Sequence, residues 1–412
     1  MNKAVEAKRL NKDAAFVYGG YLLRYLSLIV LLPFYSRILG PTGYGKVLAA
    51  MSLVSIVWLV VNYGFSITGA RDLASVAGEG QRNRIYGRQL LARLLLLPVG
   101  AAVGAVGTMV SPILAADPIY GVLATIIGTL EAFNLGWFFQ GLRQFRTSIA
   151  VEALSYPLNA ILVLALVRNG EDGIWVLVSL LLSVLVVLAL SYHIAGKSIS
   201  LAWPSVAEGW AEIKGSTVIF IQGVNTVLTT AGATYLLSIL STAEEVSYFG
   251  TAERFVAVGL SLFGPAGQVL MPTIASLHLE SRGEAFALAR KALALETAFG
   301  LVAMVAGVLL APFVLPIVLG DKFDDSVFLL QILVCLMPFA AITHALGLYL
   351  LVPLRRENLL ILAISIGSVL NLGFGIFAAQ AWDSVGMAVA RVAGEAVAAI
   401  LLALMCLKIK RA

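Results

Sequence analysis

Ile174 to Gly196 reads IWVLVSLLLSVLVVLALSYHIAG, 23 residues without an Asp, Glu, Lys or Arg. A helix rises 1.5 Å per residue, so about twenty such residues cross the ~30 Å hydrocarbon core of a bilayer. Gly45 to Ala70 is nearly as bare, with Lys46 its one charge. Similar blocks recur along the chain. Hydrophobic residues make up 60% and charged residues 12% of its 412 residues, and the mean hydropathy is +0.94. A soluble chain of this composition would lack the polar surface to cover its core. These features define a polytopic membrane protein. Continuous apolar runs exclude the alternating strands of a barrel, so the fold class is all-α.

Working outward, the pattern predicts twelve spans with cores near 14–34, 46–68, 90–114, 118–141, 149–167, 174–195, 216–239, 250–274, 293–319, 326–350, 358–379 and 384–407. With this assignment, twenty Lys and Arg residues fall on the side of both termini, among them Arg84, Arg143, Arg282 and Arg355. Five fall opposite: Arg37, Lys46, Arg168, Arg254 and Lys322. Arg24, Arg93 and Arg391 lie inside spans or at their mouths. The bias puts both termini in the cytoplasm of a plasma membrane. The net charge of +5 then reflects basic loops facing an anionic leaflet, and no nucleic-acid partner is expected. Asp13 and Arg24 bracket the first apolar run, and no small-x-small cleavage site follows it. It reads as a retained helix and not as a signal peptide.

No connection between spans exceeds about twenty residues, leaving no room for a soluble catalytic domain. Gly196-Lys197-Ser198 lacks the upstream glycine of a phosphate-binding loop, since Tyr192 stands there. His193, His278 and His344 lie on separate segments, and Cys335 and Cys406 lie in spans. No metal site, cofactor or catalytic triad is expected.

The connection 196–215, with Trp203 and Trp210, reads as an interfacial linker dividing six spans from six. The expected organisation is a lobe at 1–195, the linker, and a lobe at 216–412. An even span count per lobe gives a parallel repeat. Tyr44-Gly45 and Tyr248-Phe249-Gly250 begin corresponding spans of the two lobes.

Several stretches carry a family resemblance. They are Leu32-Pro33-Phe34-Tyr35-Ser36-Arg37-Ile38-Leu39-Gly40-Pro41-Thr42-Gly43-Tyr44-Gly45, then Asn62-Tyr63-Gly64-Phe65 through Arg71-Asp72-Leu73-Ala74, and Trp137-Phe138-Phe139-Gln140-Gly141-Leu142. Tyr248-Phe249-Gly250-Thr251-Ala252-Glu253-Arg254-Phe255 and Leu270-Met271-Pro272 continue the pattern. In that order they resemble the polysaccharide-transporter branch of the multidrug and polysaccharide exporter superfamily, the lipid-linked oligosaccharide (O-antigen) flippases. Taken singly each has a plainer reading; Trp137 and its two Phe neighbours, for instance, suit an interfacial aromatic belt. The resemblance implies two six-helix lobes forming a V around a central cavity. It also implies a cargo of oligosaccharide on undecaprenyl pyrophosphate, moved from the cytoplasmic to the periplasmic leaflet of a bacterial inner membrane. Membrane lipids and a polysaccharide polymerase are the partners it suggests.

An ionisable side chain at mid-bilayer costs about 2.5–3.5 kcal/mol on insertion scales, so each demands a reason. Arg24 lies about ten residues into the first span, where its planar guanidinium could hold a diphosphate or pair with Glu131 or Glu152. Glu131 and Asn134 are three apart with Phe138 continuing their face. Glu152, Ser155, Tyr156 and Asn159 form one stripe, and Gln222, Asn225 and Thr229 another. Arg254, Ser261 and Gln268 recur every seven residues. Such stripes either line a hydrated path or hold helices together by hydrogen bonds. Arg391 and Glu395, one turn apart, read as a structural ion pair. The functional expectation is a flippase and not an enzyme. The rivals are a cation-coupled multidrug extruder of the same fold and a membrane glycosyl polymerase or ligase.

The charge bias is testable in a chain whose Cys335 and Cys406 are replaced by alanine. Thr42→Cys and Glu171→Cys should react with an impermeant thiol reagent added to intact cells, and Arg84→Cys and Arg355→Cys should not. Labelling at position 84 from outside would invert the topology.

Overall fold

The computed structural model describes residues 23, 26, 27, 30–196, 199 and 203–411, side chains at 265, 268, 269, 279 and 409–411 excepted. Among them every regular element is helical. Eight helices are long and apolar enough to cross a membrane, or nine when a broken pair is counted as one span. The chain forms two compact units that meet in sequence between Val227 and Leu228.

In the first unit, α1 (30–38) leads into α2 (Gly40–Asn62) and α3 (Phe65–Ala74). Tyr63 and Gly64, at φ 46° and 83°, turn the chain between α2 and α3. Next come α4 (Glu79–Val110), α5 (Pro112–Ala116), α6 (Pro118–Ala132) and α7 (Gly136–Gly141), then α8 (Phe145–Leu166), α9 (Gly173–Ala195) and α10 (Val206–Thr229). The expected fourth span, 118–141, is one of the eight candidates, and its helix is interrupted at 133–135. The expected 196–215 linker is partly helix. Ser205 and Glu208 cap α10 reciprocally: Ser205 N donates to Glu208 Oε2 (2.9 Å), and Glu208 N donates to Ser205 Oγ (3.4 Å). This S-x-x-E capping box starts the helix ten residues before the expected span.

The α4–α6 contact depends on paired small residues. A β-carbon at Gly104 of α4 would collide with Thr125 of α6, and one at Gly121 of α6 with Thr108 of α4. Each threonine hydroxyl donates back to a carbonyl of its own helix, Thr108 to Gly104 and Thr125 to Gly121, both at 2.8 Å. The hydroxyls are thus satisfied internally, and hydroxyl and methyl group together fill the gap that each opposing glycine leaves. Where lipid replaces water outside, such close packing stands in for the hydrophobic drive between helices. Lys46 of α2 pairs with Asp117 just before α6.

The second unit holds α11 (Ala231–Leu240), α12 (Ala243–Ser261), α13 (Phe263–Glu280), α14 (Arg282–Leu319), α15 (Asp325–Leu333), α16 (Met337–Leu346) and α17 (Glu357–Arg411). The expected eighth span breaks at Leu262, three residues before Pro265, which has no N–H to donate. A π-helical turn, Gly347–Leu351, follows α16. The 55-residue α17 is interrupted at Trp382 and Asp383, the latter at φ 47° and ψ −128°. Asp383 Oδ1 accepts from Ser241 Oγ (2.6 Å), and Ser384 donates to Glu245. The interruption falls between the expected eleventh and twelfth spans.

Gly104→Ala or Gly121→Ala should destabilise the protein by about 1–3 kcal/mol through overpacking. Gly215→Ala, at a helical site with nothing within 4 Å of the added carbon, should be neutral or stabilising by up to about 1 kcal/mol. Thermal unfolding of the purified variants in detergent reads both signs.

Candidate functional site

The largest fully buried side chain is Arg93 on α4, 2% exposed. Its Nε donates to the carbonyl of Ala132, the last residue of α6, at 2.7 Å. Nη1 donates to the backbone and side-chain oxygens of Gln89 at 3.0 and 3.2 Å. Nη2 reaches Asn62 Oδ1, at the end of α2, at 3.5 Å. The guanidinium carbon lies 5.3 Å from the ring of Phe65, which opens α3, and 5.4 Å from Trp137 of α7. A cation at the C-terminal ends of two helices meets the negative ends of their dipoles and, at α6, the orphan carbonyl of Ala132. Gln89 passes the network on, donating to Glu212 Oε1 (2.7 Å), whose Oε2 accepts from Arg88 Nη2 (2.5 Å). Glu212 thereby ties α10 to α4. Thr68 and Ser216 (2.9 Å) and the stacked rings of Tyr63 and Phe220 (4.0 Å) tie α10 to α3 and to the turn before it.

This hub fixes the break at 133–135, and three sequence-predicted site residues gather round it. Glu131 occupies the last turn of α6, half-buried. Asn134 stands in the break, where its Oδ1 accepts from Gly136 N (2.9 Å) and starts α7. Glu131 and Asn134 therefore do not share a helical face with Phe138, which is 2% exposed. Phe138 packs with Trp137, Phe139, Tyr86 and Leu73 in a buried cluster, so the aromatic-belt reading of this segment is corrected as well. Glu152 of α8 lies against Gly136, where any β-carbon would strike its Oε1. Ser148 Oγ donates to Gly136 O (3.1 Å) and holds α8 on the same turn.

Among the described residues the carboxylates of Glu131 and Glu152 have no hydrogen-bond or ion-pair partner, and Asn159 Oδ1 is buried without one. Two half-buried carboxylates and an orphan amide along α6 and α8 make a polar surface in an apolar bundle, suited to water, hydroxyls or a proton. On α10, Asn225 is buried and Gln222 exposed. Arg24 lies outside the described residues, and Gln268 is described only by its place in α13.

In the second unit, Arg391 Nη1 stands 3.1 Å from Glu395 Oε2, and its Nε lies 4.0 Å from Glu253 Oε1. Thr234 Oγ1 donates to the other oxygen of Glu253 (3.0 Å). The expected pair is thus part of a triad whose third member, Glu253, adjoins the half-buried Arg254 of α12. Asn371 is fully buried, and neither atom of its amide has a partner among the described residues. Sequence reasoning noted Arg93 only as a charge inside a span. Its spacing from Arg88 and Gln89 is visible, but Glu212 lies 123 residues beyond Gln89 in sequence.

The sequence profile of the family described as "Polysaccharide biosynthesis protein" matches residues 10–278. A protein of Shigella dysenteriae named "Putative O-antigen transporter" is 24% identical over 367 residues, covering 88% of this chain and 91% of its own length. Among solved structures, the lipid II flippase MurJ in an inward closed conformation superposes with a TM-score of 0.74 at 15% identity. That match covers 96% of this chain and 87% of MurJ. An inward-facing multidrug resistance MATE family transporter of the MOP superfamily follows at TM-score 0.66 and 14% identity, over 93% and 98% of the two chains. These likenesses establish the fold.

Arg93→Ala should destabilise the first unit by about 3–5 kcal/mol, the cost of leaving buried polar partners uncompensated. Glu212→Gln, which keeps the shape and loses the charge, should cost about 1–3 kcal/mol. Membrane abundance and the thermal midpoint of the purified variants check the order; an Arg93→Ala protein as stable as the parent would contradict it.

Proposed function

The chain belongs to the polysaccharide biosynthesis protein family, and from that premise we propose that it flips undecaprenyl-pyrophosphate-linked oligosaccharide repeat units from the cytoplasmic to the periplasmic leaflet of a bacterial inner membrane. It is a multi-pass membrane protein of polysaccharide transport and a flippase of the superfamily that includes MurJ and the MATE transporters. The Shigella relative, named as an O-antigen transporter, supports the cargo class. The observation that carries the mechanism is the set of polar groups along α6 and α8 that have no partner among the described residues. They would bind sugar hydroxyls as the head group crosses hydrocarbon, while the lipid tail stays in the bilayer throughout.

In this reading twelve helices form two six-helix lobes in a V, and both termini face the cytoplasm. Arg24, with Arg254, would receive the pyrophosphate through planar, charge-assisted hydrogen bonds. Glu131, Asn134, Glu152, Asn159, Gln222, Asn225 and Gln268 would line the path. Rocking of the lobes would then expose the head to the opposite side. No bond in the cargo is made or broken.

The test is complementation of a strain lacking its native flippase, read as surface polysaccharide alongside membrane abundance and drug susceptibility. The chain should restore polysaccharide and leave drug susceptibility unchanged. Glu152→Gln and Arg24→Ala should each cut export at least about tenfold at normal abundance, a loss of about 1.4 kcal/mol in the limiting step. Full export by a Glu131→Gln, Glu152→Gln double variant would remove both carboxylates from the mechanism. Drug resistance without polysaccharide would favour the extruder.

A further inference from the structure

The second unit contains a buried cluster that the proposed path does not use. Glu296 of α14 is 6% exposed. Its Oε2 accepts from His344 Nδ1 of α16 at 2.9 Å, and its Oε1 accepts from the hydroxyl of Tyr349 at 2.5 Å. Tyr349 is itself 1% exposed and sits in the π-helical turn 347–351, a distortion often found at functional positions. The His344 ring stacks on Phe263 of α13 (5.8 Å) and meets Tyr349 edge-on (6.1 Å). Its Cε1–Nε2 edge faces Gly267 of α13, beside Leu348. The histidine expected to stand alone is therefore the charge partner of a buried glutamate.

Charge balance determines what such a cluster can hold. Every element packed on it contributes little else. Phe263 and Gly267 come from α13, whose titratable His278 and Glu280 lie at its far end, with His278 against Phe286. The other ionisable groups of α14 are Arg282, Glu284, Arg290 and Lys291, all more than one turn before Glu296. On α15 only Asp325 titrates, at its start, and the turn between α15 and α16 has Cys335, whose thiol donates to Gln331 O. From α17, Arg391 and Glu395 pair with each other, and from α12, Glu253 pairs with Arg391. Among the described residues His344 is the one cation-forming group within 4.0 Å of Glu296. Without a proton the trio carries one net negative charge in an apolar bundle, which is costly. With one, it is a neutral imidazolium–carboxylate pair whose carboxylate also accepts from Tyr349. Glu296 keeps 8% of its side chain exposed and His344 keeps 29%, so the proton enters and leaves through the imidazole.

We propose that Glu296, His344 and Tyr349 form a proton-binding site that holds one proton on His344 opposite the Glu296 carboxylate. Release of that proton leaves an uncompensated buried carboxylate, which favours a conformation that admits water around α13 and the π turn. Proton exchange at this site thereby biases the conformational cycle. The binding claim stands by itself, and the link to export rests on the flippase reading above.

The chain has three histidines, so nitrogen NMR of the full-length protein with isotope-labelled histidine in lipid nanodiscs can resolve each ring. The resonance missing from His344→Gln belongs to His344. It should lose at least tenfold in proton affinity in Glu296→Gln, because the anion that holds the proton is gone. In the complementation strain, Glu296→Gln and His344→Gln should lower export at least tenfold at normal membrane abundance. Tyr349→Phe, which removes one of the two donors to the carboxylate, should lower it less. An unmoved His344 midpoint in Glu296→Gln, or undiminished export by both variants, overturns the proposal. If the unmodified chain itself restores no polysaccharide, the cargo reading fails, and the NMR titration still decides the proton site.

Discussion

A buried guanidinium organises the first unit. Arg93 lies where the ends of α2 and α6 and the start of α3 converge, and it meets the backbone carbonyl of Ala132, which the helix end leaves without a partner, and the side-chain oxygen of Asn62. Its three nitrogens are used, and the guanidinium lies over the rings of Phe65 and Trp137. Lysine could not reproduce this, because a single ammonium has neither the span nor the flat faces. The position of Trp137, the break at 133–135 and the approach of Glu152 to Gly136 all depend on this anchor.

The same arrangement separates structural polar groups from available ones. Gln89 and Arg88 are bonded to Glu212, and Asn62 to Arg93 and Ser66, so all four are drawn into the network. Glu131, Glu152 and Asn159 lie just beyond it and are not satisfied within the described residues. In water such groups would need no comment. In an apolar bundle an orphan carboxylate implies water, a proton or a ligand. The second unit repeats the contrast. Glu253 and Glu395 share a permanent cation, Arg391, whereas Glu296 has His344 and a tyrosine, a combination whose charge is set by one proton.

Helix breaks recur where polar side chains act. Asn134 starts α7 after one break, Asp383 and Ser384 bond Ser241 and Glu245 at another within α17, and the π turn after α16 places Tyr349. A broken helix inside a membrane exposes carbonyls and N–H groups that must be met locally. The chain supplies Asn, Asp and Ser at these points, and the breaks in turn aim carboxylates and hydroxyls that a continuous helix would direct elsewhere.

The sequence by itself determined the all-helical, multi-span class, because apolar run length answers directly to bilayer thickness and needs no partner to be read. It also located Glu131, Glu152, Asn159, Arg391 and Glu395 as polar groups out of place, since their cost in hydrocarbon is local. Helical spacing further put Arg391 within reach of Glu395. Tertiary structure alone decided which polar groups meet. Gln89 and Glu212 are 123 residues apart, and Glu296 and Tyr349 are 53 apart. Asn134 and Phe138 look like neighbours on one face until the break at 133–135 turns them apart. Periodicity carries information about one helix and its surroundings. Pairing between helices depends on crossing points set by residues such as Gly104, Gly121 and Gly136, and no one-dimensional pattern records which side chain each gap receives.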